Sequence, residues 1–277
     1  MERIRYQEMI ILIAIAVIVT RVSSVKITRL TMPRWVENGT EESVVLDCEY
    51  DLSDSDSHIV VKWFLNDDPE PIYQWIPELK ARYASSRIKG RLNWDYTVSP
   101  SNTYTKYRAL NIIRPTTELS GRYSCHVISL TEQDSEDQVM IVYAPPKHFE
   151  FNFTRPSIDL TNFTCEAEGV YPLPRLLLYR NTLNDVDSQL ISDTKIISSK
   201  KNGAYTAKLS RIIRDRELRN DAPTEFECVL LIPGTNYKNQ RNIVYYPGNS
   251  LTDNGYSCHR SGPLIIIVTI MIVLLKS

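Results

Sequence analysis

Histidine is scarce in this chain, at four of 277 residues, and those four (His58, His126, His148 and His259) lie far apart in sequence. No HExxH, no GxSxG and no glycine-rich phosphate loop occurs, and glycine itself numbers only nine. These gaps remove the usual materials of hydrolytic, metal-dependent and nucleotide-dependent chemistry, so no catalytic residue, metal ligand or cofactor is expected. The charges nearly cancel, with 32 basic against 33 acidic side chains, so nothing global points to a nucleic-acid partner. Apolar runs of the roughly 20 residues that a spanning helix needs are also missing.

Shorter apolar runs stand at both ends. Arg3 and Arg5 precede an apolar core from Met9 to Thr20, and Val22 and Ser24 supply small residues after it. That order is the layout of a cleaved secretory leader, predicted over residues 1–24. At the other end Leu264 to Leu275 is apolar, and as a helix it would reach only about 18 Å across a hydrocarbon layer of about 30 Å. Behind a polar spacer on a secreted chain, such a tail reads as the signal for a glycosylphosphatidylinositol (GPI) anchor. The predicted spacer is 248–262 and the tail 263–277, with Asp253, Asn254 and Gly255 as attachment candidates and Asn249 and Ser250 behind them. A short tail helix and plain secretion are the alternatives.

Five cysteines then need accounting in an oxidising compartment. Cys258 lies in the segment that anchoring would discard, leaving Cys48 and Cys125, 77 apart, and Cys165 and Cys228, 63 apart. Around Cys48 the run SVVLDCEY alternates as a half-buried strand does. Fifteen residues on, HIVVKWFL places Trp63 where a core tryptophan packs on an inter-sheet disulfide, and ELSGRYSC places Tyr123 two residues before Cys125 as a tyrosine corner. The predicted fold is therefore all-β: two tandem immunoglobulin-like sandwiches, variable-type over 25–144 and constant-type over 145–247. The first spacing leaves room for two further strands, with PIYQWIP and RLNWDYTV as material. In the second domain Leu178 stands at the tryptophan position and Phe226 at the corner-tyrosine position, where the hydroxyl bond is lost. The APPK linker is stiffened by its two prolines.

Surface features complete the reading. Asn38, Asn152 and Asn162 begin Asn-X-Thr triplets and are expected to carry glycans. Asp51, Asp54 and Asp56 have ligand-like spacing but lack the glycine and glutamate of a calcium loop, so a solvated loop is expected. Arg82, Arg87, Lys89 and Arg91 form a basic set read as a solvated face. With Trp63 and Cys125 pointing inward, strand alternation turns Lys62, Phe64, Ser124, His126 and Ile128 outward on one sheet. The neighbouring IYQW adds Tyr73 and Trp75, or in the opposite phase Ile72 and Gln74. An outward apolar and aromatic patch of this kind is the predicted protein-binding face.

The run VKWFLNDDPEPIYQWIPE, with IYQWIP from Ile72 to Pro77, resembles the beaten-path family of insect receptors, as do ELSGRYSC, the two-domain plan and the apolar tail. The resemblance covers the first domain well and the second loosely, since Leu178 and Phe226 depart from the pattern. It implies a cell-surface or secreted protein that binds another immunoglobulin-superfamily protein, of the sidestep type, through its first domain during axon guidance or synaptic partner choice. A membrane-attached receptor held by a lipid anchor or a short tail helix is the leading expectation. A soluble decoy or humoral binder is the other.

Overall fold

The computed structural model describes residues 25–53, 56–182, 188–218 and 222–247. The predicted leader, the spacer with Asp253, Asn254 and Gly255, the tail and Cys258 lie outside the described residues.

Nine strands build the first sandwich: β1 (Lys26–Thr31), β2 (Trp35–Glu37), β3 (Ser43–Asp51), β4 (Val60–Leu65), β5 (Tyr73–Ile76), β6 (Ala81–Ala84), β7 (Leu110–Ile113), β8 (Gly121–Ile128) and β9 (Gln133–Tyr143). They form a three-stranded sheet, β1-β3-β7, facing a six-stranded sheet, β2-β9-β8-β4-β5-β6. Neighbouring strands run antiparallel except β2, which pairs in parallel with β9. Alternation drives the arrangement. In β4 Val61, Trp63 and Leu65 are buried while Val60, Lys62 and Phe64 are only half-buried, so every second side chain enters the space between the sheets.

Cys48 and Cys125 are joined across that space. Trp63 packs beside them with its indole N–H donated to the Arg108 carbonyl at 3.0 Å, and the Tyr123 hydroxyl donates to the Leu119 carbonyl at 2.7 Å. Arg108 also grips Asp47 with two parallel bonds of 2.8 and 3.0 Å. Gly121 opens β8 because nothing larger fits: a Cβ there would lie 1.8 Å from Asn66 Oδ1. Asn66 uses that closeness, accepting from the Arg122 N–H at 3.0 Å and donating to the Ser120 carbonyl at 3.4 Å.

Of the two segments offered as extra strands, PIYQWIP supplies β5 but RLNWDYTV supplies none. The last strand of the large sheet is instead β6, in ARYA. Within RLNWDYTV, Leu92 bridges Ile112 on the opposite sheet. The chain then turns, with the Asn93 side chain accepting from the Asp95 N–H at 3.2 Å and the Trp94 carbonyl held by Arg82 at 2.6 Å.

Among the described residues the second sandwich has eight strands: β10 (His148–Ser157), β11 (Leu160–Val170), β12 (Arg175–Thr182), β13 (Gln189–Leu190), β14 (Lys195–Lys201), β15 (Ala204–Arg214), β16 (Thr224–Leu231) and β17 (Lys238–Tyr245). Their order is β10-β11-β15-β14 against β13-β12-β16-β17, with Cys165 joined to Cys228 between the sheets. Leu178 and Phe226 are fully buried, and Phe226 packs 4.1 Å from Phe163 between ring centroids. The hydroxyl that Phe226 lacks is provided elsewhere. Tyr245 Oη sits 2.7 Å from both Thr161 Oγ1 and Asp215 Oδ1, and Arg155 binds the other Asp215 oxygen at 2.8 Å.

The two sandwiches share a joint. Ala144 and Tyr171 exchange backbone hydrogen bonds of 2.8 and 3.0 Å, and the Tyr143 ring lies 5.9 Å from that of Tyr237. Gly234 approaches so closely that a Cβ would lie 2.3 Å from Ile141 Cδ1. Tyr143 packs in the core of the second sandwich although it ends β9 of the first.

Candidate protein-binding face

The outer side of the six-stranded sheet is set by pairing. Lys62 lies opposite His126 and Gln74, His126 opposite Ser135, and Gln74 opposite Tyr83. Directly opposed residues share a face, so Ser135, His126, Lys62, Gln74 and Tyr83 make one row across five strands. Phe64 pairs with Ser124, and Val60 with Ile128, in the rows on either side. Phe64 and His126 meet edge to face with centroids 4.8 Å apart. Burial holds the His126 imidazole below its ordinary pKa, and the Lys62 ammonium adds to that depression. It therefore presents a neutral ring at neutral pH.

Lys62, Phe64, Ser124, His126 and Ile128 thus come together on one surface. Tyr73 and Trp75 do not, and that assignment is corrected here. Each is only 2 % exposed, because Tyr73 pairs with Trp63 and Trp75 with Val61, both inward positions. Tyr73 donates its hydroxyl to the Tyr107 carbonyl at 3.0 Å, and Trp75 meets the Tyr107 ring edge-on at 6.0 Å. Burial raises the Tyr73 pKa well above its ordinary value. The phase with Gln74 outward is the one adopted, although Ile72 is buried as well.

Besides Gln74, the pairing brings in Val60, Ile76 and Tyr83, which IYQW alone did not reveal. Their phase depends on the register of β4 with β5, which the connection 66–72 sets and no local pattern announces. At one end of the sheet the loops gather. Glu78 accepts from the N–H groups of His58 at 2.8 Å and Ile59 at 3.3 Å, and Leu130 donates its N–H to the Ser57 carbonyl at 2.9 Å. Leu79 and Leu130 project there, each 71 % exposed. They extend the apolar positions Ile76, Val60 and Ile128 onto the loop tips.

The basic set lies elsewhere, and its three arginines are engaged. The Arg82 guanidinium covers the Tyr107 ring at 3.8 Å, Arg87 faces Asp68 at 3.6 Å and Arg91 faces Glu118 at 3.8 Å. In the acidic loop Asp56 accepts from both the N–H and the hydroxyl of Ser53, at 2.7 and 2.9 Å, an ordinary loop closure; Asp54 is outside the described residues. Among the described residues no group of three or more His, Cys, Asp or Glu side chains is placed to hold a metal ion.

No protein-family model matches this chain, and neither does any curated protein. Solved structures do. Bovine butyrophilin superposes with a TM-score of 0.58 at 14 % identity, over 80 % of this chain and 98 % of its own. The fold is immunoglobulin-like, in two tandem sandwiches. A chain of the complex of ICOS with ICOS-L and an antibody domain aligns at 15 % identity over 76 % of this chain and 97 % of its own, but its TM-score of 0.49 is too low to add weight.

Proposed function

We propose that this chain is a recognition protein of the cell surface that binds another immunoglobulin-superfamily protein through the outer side of its six-stranded sheet. The observation that carries the reading is the run of half-buried apolar and aromatic side chains on that surface: Phe64, Val60, Ile128 and Ile76, continued by Leu79 and Leu130. A solvated sheet face alternates toward polar residues, whereas an interface core is apolar with a polar rim. Here the row of Ser135, Lys62 and Gln74 runs between Phe64 and the apolar positions Val60, Ile128 and Ile76, which Leu79 and Leu130 continue at one end of the sheet. The resemblance of VKWFLNDDPEPIYQWIPE to beaten-path-type receptors supports a sidestep-like partner and a role in axon guidance or synaptic partner choice. The short apolar tail favours lipid anchoring over a spanning helix.

The test is a binding screen of the secreted protein against cell-surface ectodomains, followed by Phe64→Asp. The substitution is expected to abolish binding to the partner found while leaving the circular dichroism and melting temperature unchanged. Undiminished binding by a folded Phe64→Asp protein refutes this face. Phosphatidylinositol-specific phospholipase C decides the anchor: release from intact cells supports it, and spontaneous accumulation in the medium supports the soluble alternative.

A further inference from the structure

The sequence Asn-Phe-Thr occurs twice, at 152–154 and 162–164, and the fold lays the two copies against each other. Asn152 lies opposite Thr164, Phe153 opposite Phe163 and Thr154 opposite Asn162. Strand alternation then sorts the six side chains. Phe163 is fully buried and Phe153, 42 % exposed, packs 5.9 Å from it, so both asparagines and both threonines stand on the opposite side, Asn152 and Thr154 exposed, Asn162 and Thr164 half-buried with the Asn162 carboxamide oxygen covered. Diagonal neighbours of this kind have Cα atoms about 7–8 Å apart. Asn162 is flanked on its other side by Ile212 of β15, an outward residue 56 % exposed. An isoleucine so exposed in the middle of a strand leaves apolar area in water at about 25 cal/mol for each Å².

We propose that Asn152 and Asn162 both carry N-linked glycans, which stand side by side on the outer face of the β10-β11-β15-β14 sheet, cover Ile212 and close that face to other proteins. Each attachment joins Asn Nδ2 to the anomeric carbon of an oligosaccharide delivered on a polyprenyl diphosphate. The anomeric C–O bond to the diphosphate breaks, the polyprenyl diphosphate leaves, and the amide gives up one proton to the transferase. Both sequons sit in extended strand whose phenylalanine lies on the side away from the asparagine, so the sugars leave the sheet without disturbing the Phe163–Phe226 contact. The inference rests on entry into the secretory route and is independent of the binding face.

The experiment uses the full chain expressed in a eukaryotic secretory host. Glycopeptide mass mapping after endoglycosidase H, which leaves one N-acetylglucosamine on each occupied asparagine, is expected to mark both Asn152 and Asn162. Thr154→Ala removes the mark from Asn152 alone and Thr164→Ala from Asn162 alone, whereas Thr→Ser at either position keeps it. Hydroxyl-radical footprinting then reads the cover: oxidation of Ile212 is expected to rise several-fold in Asn152→Gln/Asn162→Gln relative to the glycosylated protein. Should the double variant not be secreted, trimming the folded protein with endoglycosidase H gives the same comparison. Sugar on Asn38 but missing from either Asn152 or Asn162 overturns the paired arrangement, and unchanged Ile212 oxidation overturns the cover. Sugar on none of the three overturns the secretory reading together with the proposal.

Discussion

Replacing Tyr245 with phenylalanine deletes one oxygen atom from the core of the second sandwich. The ring keeps its place, edge-on to Phe153 at 5.3 Å and to Phe163 at 5.5 Å, so little packing is lost. What disappears is a hydroxyl bound at 2.7 Å to both Thr161 and Asp215, at a residue only 3 % exposed. Thr161 is fully buried and keeps its 3.2 Å bond to Asp215 Oδ1, but water cannot replace the lost tyrosine partner there. Leaving a buried polar group short of a bond costs about 1–3 kcal/mol. Arg155 still neutralises Asp215, which keeps the loss below the 3–5 kcal/mol or so of an orphaned buried charge. The expected destabilisation is therefore about 2 kcal/mol, and for a domain of about 100 residues that lowers the melting temperature by roughly 8–16 °C. Differential scanning calorimetry of the two-domain protein, with hydrogen exchange to assign the transition, measures it. A double-mutant cycle with Thr161→Val should return a coupling of about 0.5 kcal/mol or more. A change within about 0.5 kcal/mol for Tyr245→Phe, the range of an ordinary surface substitution, refutes the claim that this hydroxyl takes over the work of a corner tyrosine.

Three further outcomes are expected. Gly121→Ala drives a methyl group into Asn66 and breaks its two bonds, costing about 1–3 kcal/mol in urea unfolding; Asn66→Ala in the same background should then add little. Asp47→Ala removes both acceptors of the Arg108 fork, whose partners are only 15 % and 16 % exposed, and should cost roughly 2 kcal/mol, with Asp47→Asn milder. His126 has a folded pKa below its unfolded one, so the unfolded chain takes up the proton first and its contribution to stability is complete above the ordinary imidazole value. That contribution falls as the pH drops through that value, and denaturation midpoints should show His126→Gln flattening the decline.

Much of the first sandwich was legible because its signals are short in sequence and fix an inward direction. Cys48, Trp63, Tyr123 and Cys125 each name one buried position, and alternation carries that phase along β3, β4 and β8. The phase runs out where a turn intervenes. Tyr73 and Trp75 look like interface aromatics, but the β4–β5 register turns them inward and brings Gln74 and Ile76 out. In RLNWDYTV the apolar and aromatic residues read as a strand, yet Leu92 serves the opposite sheet and Asn93 closes a turn, which leaves ARYA to end the large sheet. Phe226 signalled a missing bond correctly. Its substitute could not be seen, because Tyr245 and Thr161 are 84 residues apart and meet only when both sheets are assembled.

The joint between the sandwiches bears on mechanics. Ala144 and Tyr171 are bonded in both directions, and Tyr143 of β9 is buried with the second core, so the connection is not a slack tether. A pull on the first sandwich is expected to reach the second through the paired backbone and the tilted Tyr143–Tyr237 contact. The two sandwiches are therefore coupled at this joint by backbone hydrogen bonds and a ring contact as well as by the chain itself.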